Sequence, residues 1–388
     1  MDFKQRILTA LNHEEPDRVP VMGLIMDPAT VNHILGRDNP DISAVLQQPE
    51  SRAGLMQYMN ASWYDIYCGN FADALEAAIK LGFDANWTIY ALMQAVEDPQ
   101  AKLGISWRDV HGRVWEMGDV EGAGLTFNYS RPLCITEDEW EVWVADKGPM
   151  FDELVKQTAS FHKELAARYG DRIMPIGYAA PGIFENSWQP IGFVNFTHMV
   201  YENPDFVRKV VAFHTEWYLK CIDAVMQSDV EVVIGGDDLA QKTGPLMRPE
   251  LIDRLYGESY RRVSEMVHSR GRKLIWHSCG NIYRLLDKFI DWGFDGIITM
   301  EPTAGVELGK VWEMVGHRLA LIGNLDVSYL LVRGTREEIE DAVRQAIRDA
   351  AGGGGYILSA CHSHPLVDGT RLGWMVEAAH RYGRYPLA

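Results

Sequence analysis

The sequence predicts an α/β fold, a single (β/α)8 TIM barrel spanning 1–388 with a hairpin inserted after its second strand. Two observations point there. Eight short apolar runs alternate with segments of helical periodicity, and few of the runs alternate apolar with polar, as parallel strands buried on both faces should not. Chemistry-bearing residues also fall at the carboxyl ends of the later runs, where such barrels place their sites. An open doubly wound sheet is the competing arrangement. The 388 residues, 47% hydrophobic and 23% charged, are ample for one large core.

The elements follow in order. After a helical amino-terminal extension, strands are expected near residues 18–24, 85–92, 173–180, 231–235, 273–276, 296–300, 319–322 and 356–360. Between the second and third, residues of about 103–148 read as an insertion, with Trp107 to Trp115 folding back around His111-Gly112. A helix should start at Asn203-Pro204-Asp205, with Asn203 as cap and Pro204 in the first turn. Thr335-Arg336-Glu337-Glu338 is a capping-box pattern. Ile339, Ala342, Val343, Ala346, Ile347 and Ala350 continue it at helical spacing, and Gly352 to Gly355 stop it. That glycine run precedes a strand and opens no helix, so it reads as a stop and not as a phosphate cradle.

Composition narrows the function. A formal charge of −17 argues against nucleic-acid binding. No apolar signal core or run of 18 apolar residues is present, which gives the expectation of a cytoplasmic protein without membrane spans. Five widely spaced cysteines do not form a disulfide framework.

Three residues suggest a metal. His277 and Cys279 close the run Leu274-Ile275-Trp276, and side chains two apart on a strand share a face. Cys361 ends the last strand. An imidazole with two thiolates is a zinc-binding set that leaves one position open. The bland alternative is two buried thiols and an unrelated histidine. Other candidates stand at strand ends. Glu301 is a candidate fourth ligand or catalytic carboxylate, or else a first-turn acid before Pro302. Asp237 is a candidate catalytic group and Asp238 a candidate substrate-orienting one, with at least one of them expected to be a cap. Asn324, Tyr178 and His362 are candidate substrate contacts, and His364 is a further loop histidine. Trp87, Tyr90, Phe184 and Trp188 can line an apolar pocket, although most such aromatics are core.

Two stretches resemble the uroporphyrinogen decarboxylase superfamily. One runs from Gly244-Pro245-Leu246-Met247-Arg248-Pro249-Glu250 to His277-Ser278-Cys279-Gly280-Asn281. The other is Arg6-Ile7-Leu8-Thr9-Ala10-Leu11 followed by Pro16-Asp17-Arg18-Val19-Pro20-Val21. The two zinc-type cysteines point to its corrinoid-linked methyltransferase branch. That resemblance implies a barrel with zinc at its mouth, held by His277, Cys279 and Cys361. It also implies methyl transfer between a small-molecule donor or thiol acceptor and the cobalt of a corrinoid protein. The chain has no Asp-x-His-x-x-Gly pattern of the kind that resembled corrinoid carriers use, so the corrinoid is expected on a separate partner. The alternatives are a decarboxylase of the same superfamily and a non-catalytic barrel that binds a corrinoid or tetrapyrrole. The decarboxylases resemble one another in an Arg-Gln-Ala-Gly-Arg motif that grips propionates. Here the corresponding segment, Met22-Gly23-Leu24-Ile25-Met26-Asp27-Pro28, has no arginine to supply charge-assisted contacts.

Overall fold

The structure, a computed structural model, describes residues 1–25, 27–39, 48–120, 124–363 and 366–387. Its central sheet has eight parallel strands, each beginning or ending within a few residues of an expected run. They are β1 (Met22–Gly23), β2 (Ala85–Ile89), β3 (Met174–Tyr178), β4 (Val232–Gly236), β5 (Lys273–Ser278), β6 (Gly296–Thr299), β7 (Ala320–Leu325) and β8 (Tyr356–Ala360), paired in that order. The Leu358 amide donates to the Pro20 carbonyl at 2.9 Å, and Val21 bridges Leu358 in parallel, which joins the last strand to the first. Chain order and spatial order coincide, as a (β/α)8 barrel requires.

Strand parity divides the core in two. Ala85, Trp87, Met174, Ile176, Val232, Ile234, Ile275, Ile298, Ile322 and Ile357 fill the barrel interior. The alternate residues, among them Val233, Leu274, Trp276, Ile297 and Leu321, pack outward against the helices. Most strands are therefore apolar on both faces, which is why the runs are continuous, while β2 turns the buried polar side chains of Asn86 and Thr88 outward. Full burial of one such side chain stabilises by about 1.5–3 kcal/mol.

Several helix signals act as the sequence implies. The Asn203 side chain accepts from the Phe206 amide to start helix Pro204–Met226. Thr335 and Glu338 form a reciprocal capping box on helix Arg336–Ala350. At the amino end of the barrel, helix Phe3–Leu11 supplies Arg6, whose guanidinium donates to Asp84 at 2.6 Å and to Asp17 at 2.7 and 2.8 Å. Arg18 donates to the same Asp84 carboxylate at 2.8 and 2.9 Å, and the Val21 amide joins them at 2.9 Å.

The insertion is larger than a hairpin. Strands Met93–Glu97, Ile105–Asp109, Arg113–Val120 and Gly124–Pro132 form a four-stranded antiparallel sheet. The turn at His111-Gly112 is where the sequence places it, with Gly112 at φ +80°, a left-handed conformation that suits glycine. Trp107, Ile105, Ala95 and Met117 make a small core with Trp63 of helix Pro49–Leu81. Residues 137–148 belong instead to the first turns of helix Glu137–Tyr169, which the Thr136–Glu139 capping box begins.

Candidate metal centre

Parity carries the site residues into the barrel mouth. His277 lies two residues beyond the inward-facing Ile275, and Tyr178 two beyond Ile176. Between them β4 ends in Gly236. A Cβ there would stand 3.1 Å from His277 Cβ and 3.4 Å from the Tyr178 ring, a tight fit that glycine relieves.

His277, Cys279 and His362 bring their donor atoms within 4.8 Å of one another. His277 Nε2 and Cys279 Sγ are 3.4 Å apart. Tetrahedral zinc with ordinary bond lengths separates a nitrogen from a sulfur ligand by roughly 3.5 Å, so these donors fit that ion. The other imidazole nitrogen, Nδ1, is 2.9 Å from Thr299 Oγ1. A hydrogen bond there fixes the ring and directs Nε2 toward the site. Thr299 sits at φ +108° and Met300 at φ +48°, rare values for residues with a Cβ and most strained for a β-branched one.

Carboxylates surround the thiol. Asp238 Oδ1 accepts from the Cys279 amide at 2.9 Å and lies 3.5 Å from His277 Nε2. Glu301 Oε2 accepts from the Gly280 amide at 3.2 Å, and its Oε1 accepts from Thr303 at 2.6 Å. Burial raises the Cys279 thiol pKa, and Asp238, Glu301 and Glu185 raise it further. Burial lowers the pKa of His277 and keeps it neutral. A metal ligand needs a neutral imidazole and a thiolate. The imidazole is ready, and a bound cation would offset the cost of ionising the thiol.

The structure sorts the remaining expectations. Glu301 is beside the centre, as its position at the end of the strand next to β5 implies. Cys361, expected as a ligand, is outside the group of three. Its amide still continues the sheet by donating to Leu325 at 2.8 Å, its side chain is buried against the outer core, and burial pushes its thiol up to about 12. The chain turns one residue later, so His362, expected as a substrate contact, enters the group instead. His362 also borders a cavity of about 20 Å³ formed with Met22, Leu24, Phe83, Ala360 and Met375. Such a volume holds about one water. His364 lies outside the described residues.

Asp237, expected as catalytic, is fully buried and turned away from the mouth. It has the parity of Val233, and both its oxygens are occupied. Oδ1 accepts from the Glu185 amide at 2.8 Å, while Oδ2 accepts from the Phe184 amide at 3.0 Å and the Tyr260 hydroxyl at 2.7 Å. It anchors the start of helix Ile183–Trp188 to the end of β4. A Cβ at Gly182 would lie 2.1 Å from the Asp237 carboxyl carbon, so glycine permits that approach. Tyr178 stacks on Trp87 with ring centres 5.9 Å apart, and Trp87 meets the His277 ring edge-on at 5.6 Å. These rings wall one side of the site. Asn324 is not in the group around His277. Its Nδ2 donates to the Met300 carbonyl at 3.0 Å, and it borders a groove of about 690 Å³ with Glu307, Lys310 and Asp349. Glu185 was not expected at all. It comes from a six-residue helix too short to show periodicity.

The comparisons with known proteins agree with this architecture. The family model described as Uroporphyrinogen decarboxylase (URO-D) matches residues 145–382, more than half of the sequence. The chain belongs to that family. A uroporphyrinogen decarboxylase of Mannheimia succiniciproducens is 26% identical over 282 residues, 69% of this chain and 76% of that protein. A second, from Thioalkalivibrio sulfidiphilus, is 32% identical over 79 residues, only 20% of this chain and 22% of that one. Among solved structures, a methyltransferase from Methanosarcina mazei superposes with a TM-score of 0.67 at 18% identity, covering 98% of this chain and 99% of that one. Among the described residues, no helix is long and apolar enough to cross a membrane.

Proposed function

We propose that this chain is a zinc-dependent methyltransferase, moving a methyl group between a small molecule and the cobalt of a corrinoid carried by a separate protein. The observation that carries the reading is the His277–Cys279 pair at the barrel mouth, 3.4 Å apart with Thr299 behind the imidazole. The fold likeness to a methyltransferase is compatible with it. Zinc there would supply Lewis acidity, activating the thiol acceptor or the heteroatom of the methyl donor.

The chain's own groups would do the rest. His277 presents neutral Nε2 because burial opposes its protonation. Asp238 holds the backbone of Cys279, and Glu301 holds that of Gly280, so the motif loop is tied from both sides. Glu301 can also serve as a fourth donor that substrate displaces. Trp87 and Tyr178 offer a flat apolar wall for the organic part of the substrate. His277 and Cys279 would anchor the metal, with the third position falling to His362 in this conformation or to its neighbour Cys361.

The test is anaerobic spectroscopy of a reduced corrinoid protein mixed with this chain and candidate methyl donors. Methyl transfer should appear as loss of the reduced-cobalt absorbance and should fail in Cys279→Ser. Full-rate transfer by metal-free protein, or decarboxylation of uroporphyrinogen by the chain, would overturn the reading.

A further inference from the structure

The inserted sheet is linked to the site by a continuous series of hydrogen bonds. Asp109, at the end of an insertion strand, accepts from the amides of His111 and Arg113 at 3.0 Å each, from Trp115 Nε1 at 2.8 Å and from Arg113 Nε at 2.5 Å. Arg113 is thereby fixed with its guanidinium against the Trp115 ring, 4.8 Å from the centroid. Its Nη1 donates to Gln189 Oε1 at 2.9 Å. The opposite end of that amide, Nε2, donates to Glu185 Oε1 at 2.8 Å. Glu185 Oε2 accepts from the Asp238 amide at 3.4 Å, and Asp238 Oδ1 accepts from the Cys279 amide at 2.9 Å. Asp109, Arg113 and Gln189 are all buried.

We propose that Arg113 and Gln189 are positioning residues, through which the inserted sheet sets the placement of Glu185, Asp238 and the Cys279 backbone at the barrel mouth. The physical reason lies in the amide. An Arg cation donates only, so it accepts no orientation of Gln189 except the one that presents oxygen. That choice turns the NH2 group toward Glu185. Without Arg113 nothing fixes the amide, which is then free to flip and set its oxygen against Glu185. A buried ion pair such as Arg113–Asp109 adds little net stability over apolar packing, whereas a directional link to the site gives its geometry a use. The link does not require any particular metal.

Gln189→Met is the decisive variant, because it breaks both links at similar volume and leaves the Arg113–Asp109 pair intact. Arg113→Met would leave Asp109 buried without its cation and endanger the fold. Amide hydrogen exchange on the metal-free chain reads the result. The Asp238 and Cys279 amides should exchange about tenfold faster, the factor expected when one hydrogen bond is lost. The His111 and Arg113 amides, held by Asp109, should be unchanged. Unchanged exchange at Asp238 and Cys279, or equal acceleration at all four amides, would overturn the proposal. Co2+ loaded into both proteins gives a second measurement, in which the variant's thiolate-to-cobalt absorption should shift. A wild-type chain that takes up no Co2+ would count against the metal reading alone, and the exchange comparison would still decide the relay.

Discussion

Thr299 illustrates how one residue can be held in an unfavourable conformation for the sake of another. Its φ of +108° costs of order 1–3 kcal/mol, and its hydroxyl lies 2.9 Å from His277 Nδ1. Thr299→Val keeps the shape and removes the acceptor. Metal affinity should fall about tenfold in that variant, since partners behind a ligating histidine are worth 10–100-fold. Thr299→Ser should retain most of it. Competition with a chelator measures both, and equal affinities in all three proteins would remove Thr299 from the site. The third ligand is decided in the same assay. From the geometry, His362→Gln should release metal more readily than Cys361→Ser; the reverse order would return Cys361 to the position expected from its strand end. The two were hard to separate from sequence because they are adjacent, and parity lapses once β8 ends at Ala360. Asp237 carried a legible signal. It shares parity with Val233, and there the alternation persists one residue past the end of β4.

At the scale of elements, the eight strands were legible because burial on both faces favours apolar residues, with only a few buried polar side chains such as Asn86, Thr88 and Ser359 among them. The first strand of the insertion was not. Met93–Glu97 is half-exposed, follows β2 after a short break and reads as that strand's ragged end. The helices carry a separate acid sensitivity. His162, on helix Glu137–Tyr169, and His214, on helix Pro204–Met226, are fully buried, and burial lowers their pKa to about 4 and about 3. Both values are below that of an unfolded histidine, about 6.5. The unfolded chain therefore binds more protons between these limits. Stability is complete above pH 6.5 and is lost as pH falls toward 4 and then 3. One pKa unit is worth about 1.4 kcal/mol, so each histidine can account for a few kcal/mol of acid destabilisation. Neither His214 nitrogen has a hydrogen-bond partner among the described residues. His214→Leu should thus flatten the fall in urea midpoint between pH 6.5 and pH 4 without loss at neutral pH. An unaltered pH dependence would show that His214 protonates freely in the folded protein.

At the scale of the whole molecule, stability and chemistry occupy opposite ends of the barrel. The interior is filled by aliphatic side chains below Trp87 and Tyr178, and the candidate ligands lie above them. Metal removal should therefore leave the fold in place. Far-ultraviolet circular dichroism should be the same with and without chelator, and the melting temperature should change only by the linkage expected of a ligand that binds the folded state. Collapse of the helical signal on chelation would instead make the metal a structural one, with a closed coordination shell.

The Asp84 carboxylate, gripped by Arg6, Arg18 and the Val21 amide at the amino end, has a consequence for how this chain can change. It fastens the short strand β1 and the helix Phe3–Leu11 to β2 with no member drawn from the mouth. Substitutions among Tyr178, Glu185, Asp238 and Glu301 leave that clasp untouched. A library randomised at those four positions should retain a large share of soluble, cooperatively melting clones, whereas Asp84→Asn alone should deplete it. The barrel is in that sense divided into a clasped amino end and a mouth that can vary without loosening it.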